Sequence, residues 1–205
     1  MLKVLRWEFN LWRAMYLWAR GRLRGQAPGD EPIGYADATA PIMWALIVLN
    51  AIEIPALHIM IPWATVRFIV DLLGVYSLAW MVGILAIMKV HPHLATPAGL
   101  RVRYGASVDF TVPWEAIARV GSRIRSHQGM QTVRFEDSTL AVGVGSQTNI
   151  DIVLREPMAL PVPKTGGQPV AELRVYADDP KALIASVACK RSTTGTSAPA
   201  KQPTP

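Results

Sequence analysis

Cysteine is almost missing from this chain: Cys189 is the single one in 205 residues, so no intrachain disulfide is possible. Its apolar setting, ALIASVACK, predicts an inert thiol in the core face of a helix. Catalytic signatures are lacking too. Gly143-Val144-Gly145 does not have the spacing of a dinucleotide or phosphate loop, and no GxSxG elbow frames a serine nucleophile. His91-Pro92-His93 offers two imidazoles without a Cys, Asp or Glu at ligand spacing, too little for a metal site, so these histidines are expected at a membrane edge. The sequence therefore predicts neither an enzyme nor a cofactor or metal protein. Basic residues do not gather into a DNA-reading motif, which argues against nucleic acid as a partner.

What the chain does have is apolar residue, 51% of it, and a mean hydropathy of +0.23. The excess is concentrated between Pro41 and Met88. Residues 42–62, IMWALIVLNAIEIPALHIMIP, carry one acidic or basic side chain, Glu53, and residues 68–88, FIVDLLGVYSLAWMVGILAIM, carry only Asp71. Each run has the roughly 20 residues that a membrane-crossing helix requires. Together they predict a transmembrane hairpin over 41–89 with a short turn at Pro62 to Val66, and Trp63 and Arg67 at the interface.

The net charge of +6 and pI near 9.8 suit nucleic acid or anionic lipid, and the position of the charges beside the apolar runs favours lipid. Lys3, Arg6, Arg13, Arg20, Arg22 and Arg24 precede the first run, Lys89, Arg101 and Arg103 follow the second, and the turn offers only Arg67. The positive-inside rule then predicts a multi-pass plasma-membrane protein with both termini cytoplasmic. The same lysine and arginines break any signal-peptide core. At 100° per residue Leu5, Trp12, Tyr16, Ala19 and Leu23 share one side of a helix, with Arg6, Arg13, Arg20 and Arg24 as a ridge beside it. Residues 1–25 are thus expected as a basic amphipathic interfacial helix, or else as a helix packed on the protein itself. Residues 26–40, rich in Pro and Gly, read as a linker.

After Met88 the pattern changes to short alternating runs: GLRVRY, SVDFTVPW, IARVGSRI, QTVRFED, TLAVGVG, NIDIVLRE and ELRVY. These predict six or seven half-buried antiparallel strands. Asp178-Asp179-Pro180 then caps a terminal helix, KALIASVACK. Such a series describes a small barrel closed by a helix, over 91–190. Residues 191–205, rich in Ser, Thr, Pro and Ala, are expected to be disordered.

The stretch HPHLATPAGLRVRYGASVDFTVPWEAIARV behind a hairpin resembles the start of bacterial pleckstrin-homology-like membrane proteins, and ELRVYADDPKALIASV resembles the closing strand and helix of actinobacterial members. The marks are Gly99-Leu100, Pro113-Trp114 with Ile117, and Asp178-Asp179-Pro180. The resemblance implies an α+β membrane protein, a transmembrane hairpin followed by a PH-like sandwich or small barrel of seven strands with a C-terminal helix. It implies no reaction.

Two groups of side chains stand out. Glu53 and Asp71, with His58 and Arg67 nearby, would lie within the membrane, where a carboxylate is expensive and marks a pathway or a buried contact. The plain expectation is that Asp71 pairs with Arg67 one turn away and Glu53 bonds Asn50 or His58, locking the hairpin. The second group is basic. Arg119, Arg123 and Arg125, with His127, fall largely on one strand side and, with Arg101 and Arg103, are expected to face anionic headgroups or else solvent. The leading functional expectation is a non-catalytic, membrane-anchored interaction module on the cytoplasmic face. It would bind a protein partner, another copy of itself, or anionic lipid. The alternative is an accessory subunit of a transport or envelope-synthesis complex that uses Glu53 and Asp71 within the membrane.

Overall fold

The computed structural model describes residues 2–105, 107–126, 129 and 131–196. The chain is α+β, with four helices and two sheets, and divides into two units. One comprises residues 1–25 and 36–92, the other residues 26–35 and 93–205.

The first unit is helical: α1 (Leu2–Ala19), α2 (Ala40–Met60) and α3 (Ala64–Val90). Both α2 and α3 are long and apolar enough to cross a membrane, and α3 is longer than the apolar run that predicts it. Between them lie only Ile61, Pro62 and Trp63, so the two helices pack back on each other, with Leu85 of α3 buried against Ala40 and Ile47 of α2. Their outer faces are apolar and open, Ile52, Ile59, Phe68 and Leu72 each being more than half exposed. The core helix of a water-soluble domain would hide these residues, so the open apolar faces agree with two helices that could cross a membrane.

Helix α1 ends at Ala19, short of the expected Gly25, because the chain turns left-handed at Gly21 (φ +62°). Arg20, Leu23 and Arg24 therefore lie beyond the helix and cannot continue its ridge. Leu11 and Ala14 are buried against Ala86, Ile87 and Val90 of α3. Trp7 packs on Trp80 with ring centroids 4.4 Å apart and planes tilted by 40°, and Glu8 accepts a 2.6 Å hydrogen bond from the Tyr76 hydroxyl. The contacts advance together along both helices, so α1 runs alongside the C-terminal half of α3. Gly83 permits this closeness, since a Cβ there would collide with the Leu11 side chain. Leu5, Phe9, Trp12 and Tyr16 form a second, exposed stripe, so α1 carries an apolar face on each of two sides.

In the second unit, β1 (Glu31–Ile33), β2 (His93–Ala95), β3 (Gly99–Tyr104) and β4 (Val108–Pro113) make an antiparallel sheet in that order. The segment expected as a linker thus supplies an edge strand, with Ile33 opposite His93. The second sheet contains β5 (Ile117–Ser126), β6 (Val133–Glu136), β7 (Thr139–Val142), β8 (Gln147–Ala159) and β9 (Pro169–Val175), ordered β5-β8-β9-β7-β6. One pair departs from the antiparallel expectation: β7 and β9 are parallel, because the long strand β8 crosses between them in sequence. Among the described residues the strands form two separate sheets and not a closed barrel. A 3-10 turn at Trp114–Ala116 carries the chain from β4 to β5, and each sheet keeps its edges.

The two sheets and α4 (Pro180–Thr196) share one apolar core around Leu100, Trp114, Ile117, Ile150, Leu173 and Leu183. Gly99 faces Pro113 in the register, and a Cβ at this position would run into the Val112 carbonyl, so only glycine fits. Trp114 fills the corner and donates its indole N–H to the Thr96 carbonyl at 3.0 Å. Asp179 caps α4, its Oδ1 accepting from the Ala182 N–H at 2.9 Å, with Pro180 opening the helix. The helix buries Leu183 and Val187, one turn apart, which leaves Cys189 on the far side. Cys189 is therefore exposed and not in the expected core position. The tail expected to be disordered from residue 191 begins as the end of α4, and residues 197–205 lie outside the described residues.

Candidate functional site

Between α2 and α3 lies a cleft of about 260 Å³, lined by Asn50, Glu53, Ile54 and Leu57 from one helix and Val70, Leu73, Gly74 and Ser77 from the other. The spacing explains the grouping: positions three and four apart face the same way on each helix. Gly74 lets the helices approach, since a Cβ there would sit 2.8 Å from Ile54 Cγ1.

The expected lock is built differently from the sequence reading. Asp71 pairs not with Arg67 but with His58 across the turn, Nδ1 lying 2.7 Å from Oδ2. Arg67 and Asp71 share a helix face, but His58 approaches from α2, opposite, and reaches the carboxylate directly. Glu53 is bonded to neither Asn50 nor His58, and its side chain has no partner among the described residues. Asn50 Oδ1 and Asp71 Oδ1 are buried without a hydrogen-bond donor. Pro55, inside α2, has no N–H to offer the Ala51 carbonyl one turn back. The middle of the hairpin thus holds acceptor atoms that no donor among the described residues satisfies. In a hairpin that crossed a membrane, a carboxylate at this position would cost about 2.5–3.5 kcal/mol on insertion scales unless it found a partner. Ser77 and Gly74 escape attention in the sequence because neither is charged, although their spacing from Val70 signals the shared face.

The arginines separate into engaged and open groups. Arg101 grips Asp109 with two bonds of 2.6 and 2.7 Å, and this hydrogen bonding raises its pKa above the ordinary arginine value. Arg125 pairs with Asp151 at 3.0 Å, and Arg174, its neighbour, holds Glu172 at 2.9 Å. Arg103 is buried, so it does not present the expected charge to headgroups. Strand β3 is buried or half-buried along its whole length, not on one face only, with β2 paired along its edge and Tyr35 stacked on Tyr104. Arg119 and Arg123, on the edge strand β5, are exposed and form no ion pair with described residues. Near α1, Arg13 is exposed, Arg20 lies over the Tyr16 ring at 4.6 Å, and Arg24 donates to Asn10 Oδ1 at 3.2 Å. The side chains of Arg6 and His127 lie outside the described residues.

The two histidines expected at a membrane edge are both buried. In the second unit His93 donates from Nε2 to the Tyr176 carbonyl at 3.0 Å, while Nδ1 accepts from the Arg103 N–H at 3.1 Å. Both ring nitrogens are thus used by a neutral imidazole. Burial, with a smaller contribution from the Arg103 charge, pushes its pKa down to about 4. Tyr35 packs on His93 and Tyr104 and accepts from the Gly105 N–H at 2.7 Å. Its burial pushes the phenol pKa up. Both His93 ring nitrogens and the Tyr35 hydroxyl are engaged, while Nε and Nη1 of the buried Arg103 find no acceptor among the described residues, and the cluster fastens the 26–35 segment to the sheet. Among the described residues no group of three or more His, Cys, Asp and Glu side chains is placed to hold a metal ion. Comparison with protein-family models, with curated proteins and with solved structures gave no match to this chain.

Proposed function

We propose that this chain is a membrane-anchored, non-catalytic interaction protein. Its helical hairpin sits in the plasma membrane, and its β unit, of PH-like type, acts on the cytoplasmic side. The observation that carries the reading is the hairpin itself: two long helices with apolar outer faces, inserted between the adjacent strands β1 and β2. Since both ends of the insertion return to one sheet, the segments flanking it belong on one side of a membrane. The surplus of lysine and arginine in those segments makes that side the cytoplasm. Arg119 and Arg123, open on β5, are cations available to attract anionic headgroups or an acidic protein surface.

The reading is tested with Ser122→Cys in a Cys189→Ser background, probed with an impermeant maleimide. Labelling should require lysis of the cells, and labelling of intact cells at the same rate would refute the orientation. Co-purification of lipid and protein with the full chain from native membranes, compared with Arg119→Glu/Arg123→Glu, then tests the interaction role.

A second reading, an accessory subunit of a transport or envelope-synthesis complex, is favoured by one observation, the acceptor-lined cleft beside Glu53. If that reading is correct, Glu53→Leu abolishes the chain's co-purification with other membrane proteins, and reversal of the two arginines leaves it intact.

A further inference from the structure

We propose that the cleft between α2 and α3 is a binding site for an organic cation, an ammonium or guanidinium group entering from the hydrocarbon side. The inference rests on the placement of the hairpin in a membrane. Three features of the cleft select this chemistry. The first is the balance of hydrogen-bonding groups: Glu53 lines the space without a partner, Asn50 Oδ1 is buried without a donor, and Ser77 stands opposite, with no lysine or arginine in the lining. Acceptors gathered in a low-dielectric setting are satisfied best by a donor that also carries positive charge.

The second feature is size. About 260 Å³ corresponds to roughly nine waters at their liquid volume of about 30 Å³ each, which suits the head and last methylenes of an amine and is generous for a bare ion. The third is the wall: Ile54, Leu57, Val70 and Leu73 offer an apolar sleeve for a methylene stem. The His58–Asp71 contact occupies the turn end, so the hairpin side chain left with no hydrogen-bond partner for its carboxyl group, among the described residues, is that of Glu53.

A lysine or arginine from a neighbouring membrane helix and an amphiphilic amine bring the same group, and one experiment separates them. The full chain in phosphatidylcholine vesicles is treated with a lipid-soluble or a water-soluble carbodiimide, and modification of Glu53 is read by mass spectrometry, with Glu53→Gln as the blank. The lipid-soluble reagent is expected to modify Glu53 and the water-soluble one to leave it. An apolar transmembrane peptide with one central lysine, or dodecylammonium, should slow modification at least fivefold, and the more effective probe names the source. A peptide with leucine in place of lysine, or dodecanol, should not slow it. Asn50→Leu should remove most of the protection.

Modification by the lipid-soluble reagent that neither cation slows, or that the neutral probes slow equally, would overturn the cation site. It would leave the membrane placement standing. Equal modification by the water-soluble reagent would overturn the membrane placement and the site with it. Absence of modification by either reagent would show the cleft to be closed, and would overturn the site alone.

Discussion

His58 and Asp71 hold the turn end of the helical pair together, Nδ1 of one lying 2.7 Å from Oδ2 of the other, while Arg67, one turn from Asp71 on the same helix, takes no part. The pair joins two helices and not two turns of one helix, so it contributes to the hairpin's tertiary stability. His58→Gln and Asp71→Asn should each lower the thermal midpoint of the full chain in detergent, and the double variant should be little worse than either. A double-mutant cycle should give a coupling of about 1 kcal/mol, within the range found for polar contacts between membrane helices. Strict additivity would mean that the contact contributes nothing.

Docking of α1 on α3 depends on the space at Gly83. Gly83→Leu drives a side chain into Leu11, and overpacking of this kind costs about 1–3 kcal/mol. The expected result is that α1 lifts away and trypsin cleaves after Arg13 roughly tenfold faster, the equivalent of about 1.4 kcal/mol. Leu11→Ala in the same chain should restore most of the resistance. Cleavage at an unchanged rate would show that the helices do not need this contact.

Acidification should loosen the β unit through His93. Its folded pKa, about 4, lies below the ordinary 6.5, so the unfolded chain takes up the proton first as pH falls. The stabilisation is therefore complete above pH 6.5, declines between pH 6.5 and about 4, and is flat below. The whole change is of the order of 3 kcal/mol. Hydrogen exchange of the β2 and β3 amides, corrected for the intrinsic rate, should accelerate over this window in the native chain. His93→Gln should be less protected at neutral pH and should lose the dependence. A native chain whose protection is the same at pH 7 and pH 5 would contradict the assignment.

Arg119→Glu/Arg123→Glu should reduce the anionic lipid retained by the purified full chain several-fold, given about 1 kcal/mol for each basic residue at an anionic surface, and the retention should be salt-sensitive. Arg101→Gln should change it little, because Arg101 is engaged by Asp109. The reverse ranking would place the lipid contact on β3.

The sequence made some of this legible and hid the rest for identifiable reasons. The two long helices were visible because an apolar run of membrane length needs no tertiary information. The extent of α3 was not, because its last turns owe their burial to α1. Seven strands stood out by alternation, but β1 and β2 did not. Glu31–Ile33 is three residues long, and its partner lies beyond the entire hairpin, so no local pattern marks either strand. Residue type showed which arginines existed but not which were engaged: Arg101 meets Asp109 on the diagonal, because the register sets Asp109 opposite Arg103, two residues along β3. Likewise Glu53 and Asp71 were conspicuous as charges, yet which one finds a partner depends on the rotation of α2 against α3, a matter of packing that composition does not encode.

The position of the hairpin between β1 and β2 also orders events during synthesis. Strand β1 leaves the ribosome first and must wait, unpaired, until both helices and then β2 have followed. Where the helices cross a membrane, the four-stranded sheet can be completed only in a molecule whose second helix has come back. A chain that failed to return would strand β1 on one side and leave β2 with a bare edge on the other, without Tyr35 to cover His93. The finished sheet therefore serves as a record that insertion succeeded, and a misthreaded copy exposes backbone that proteases can recognise.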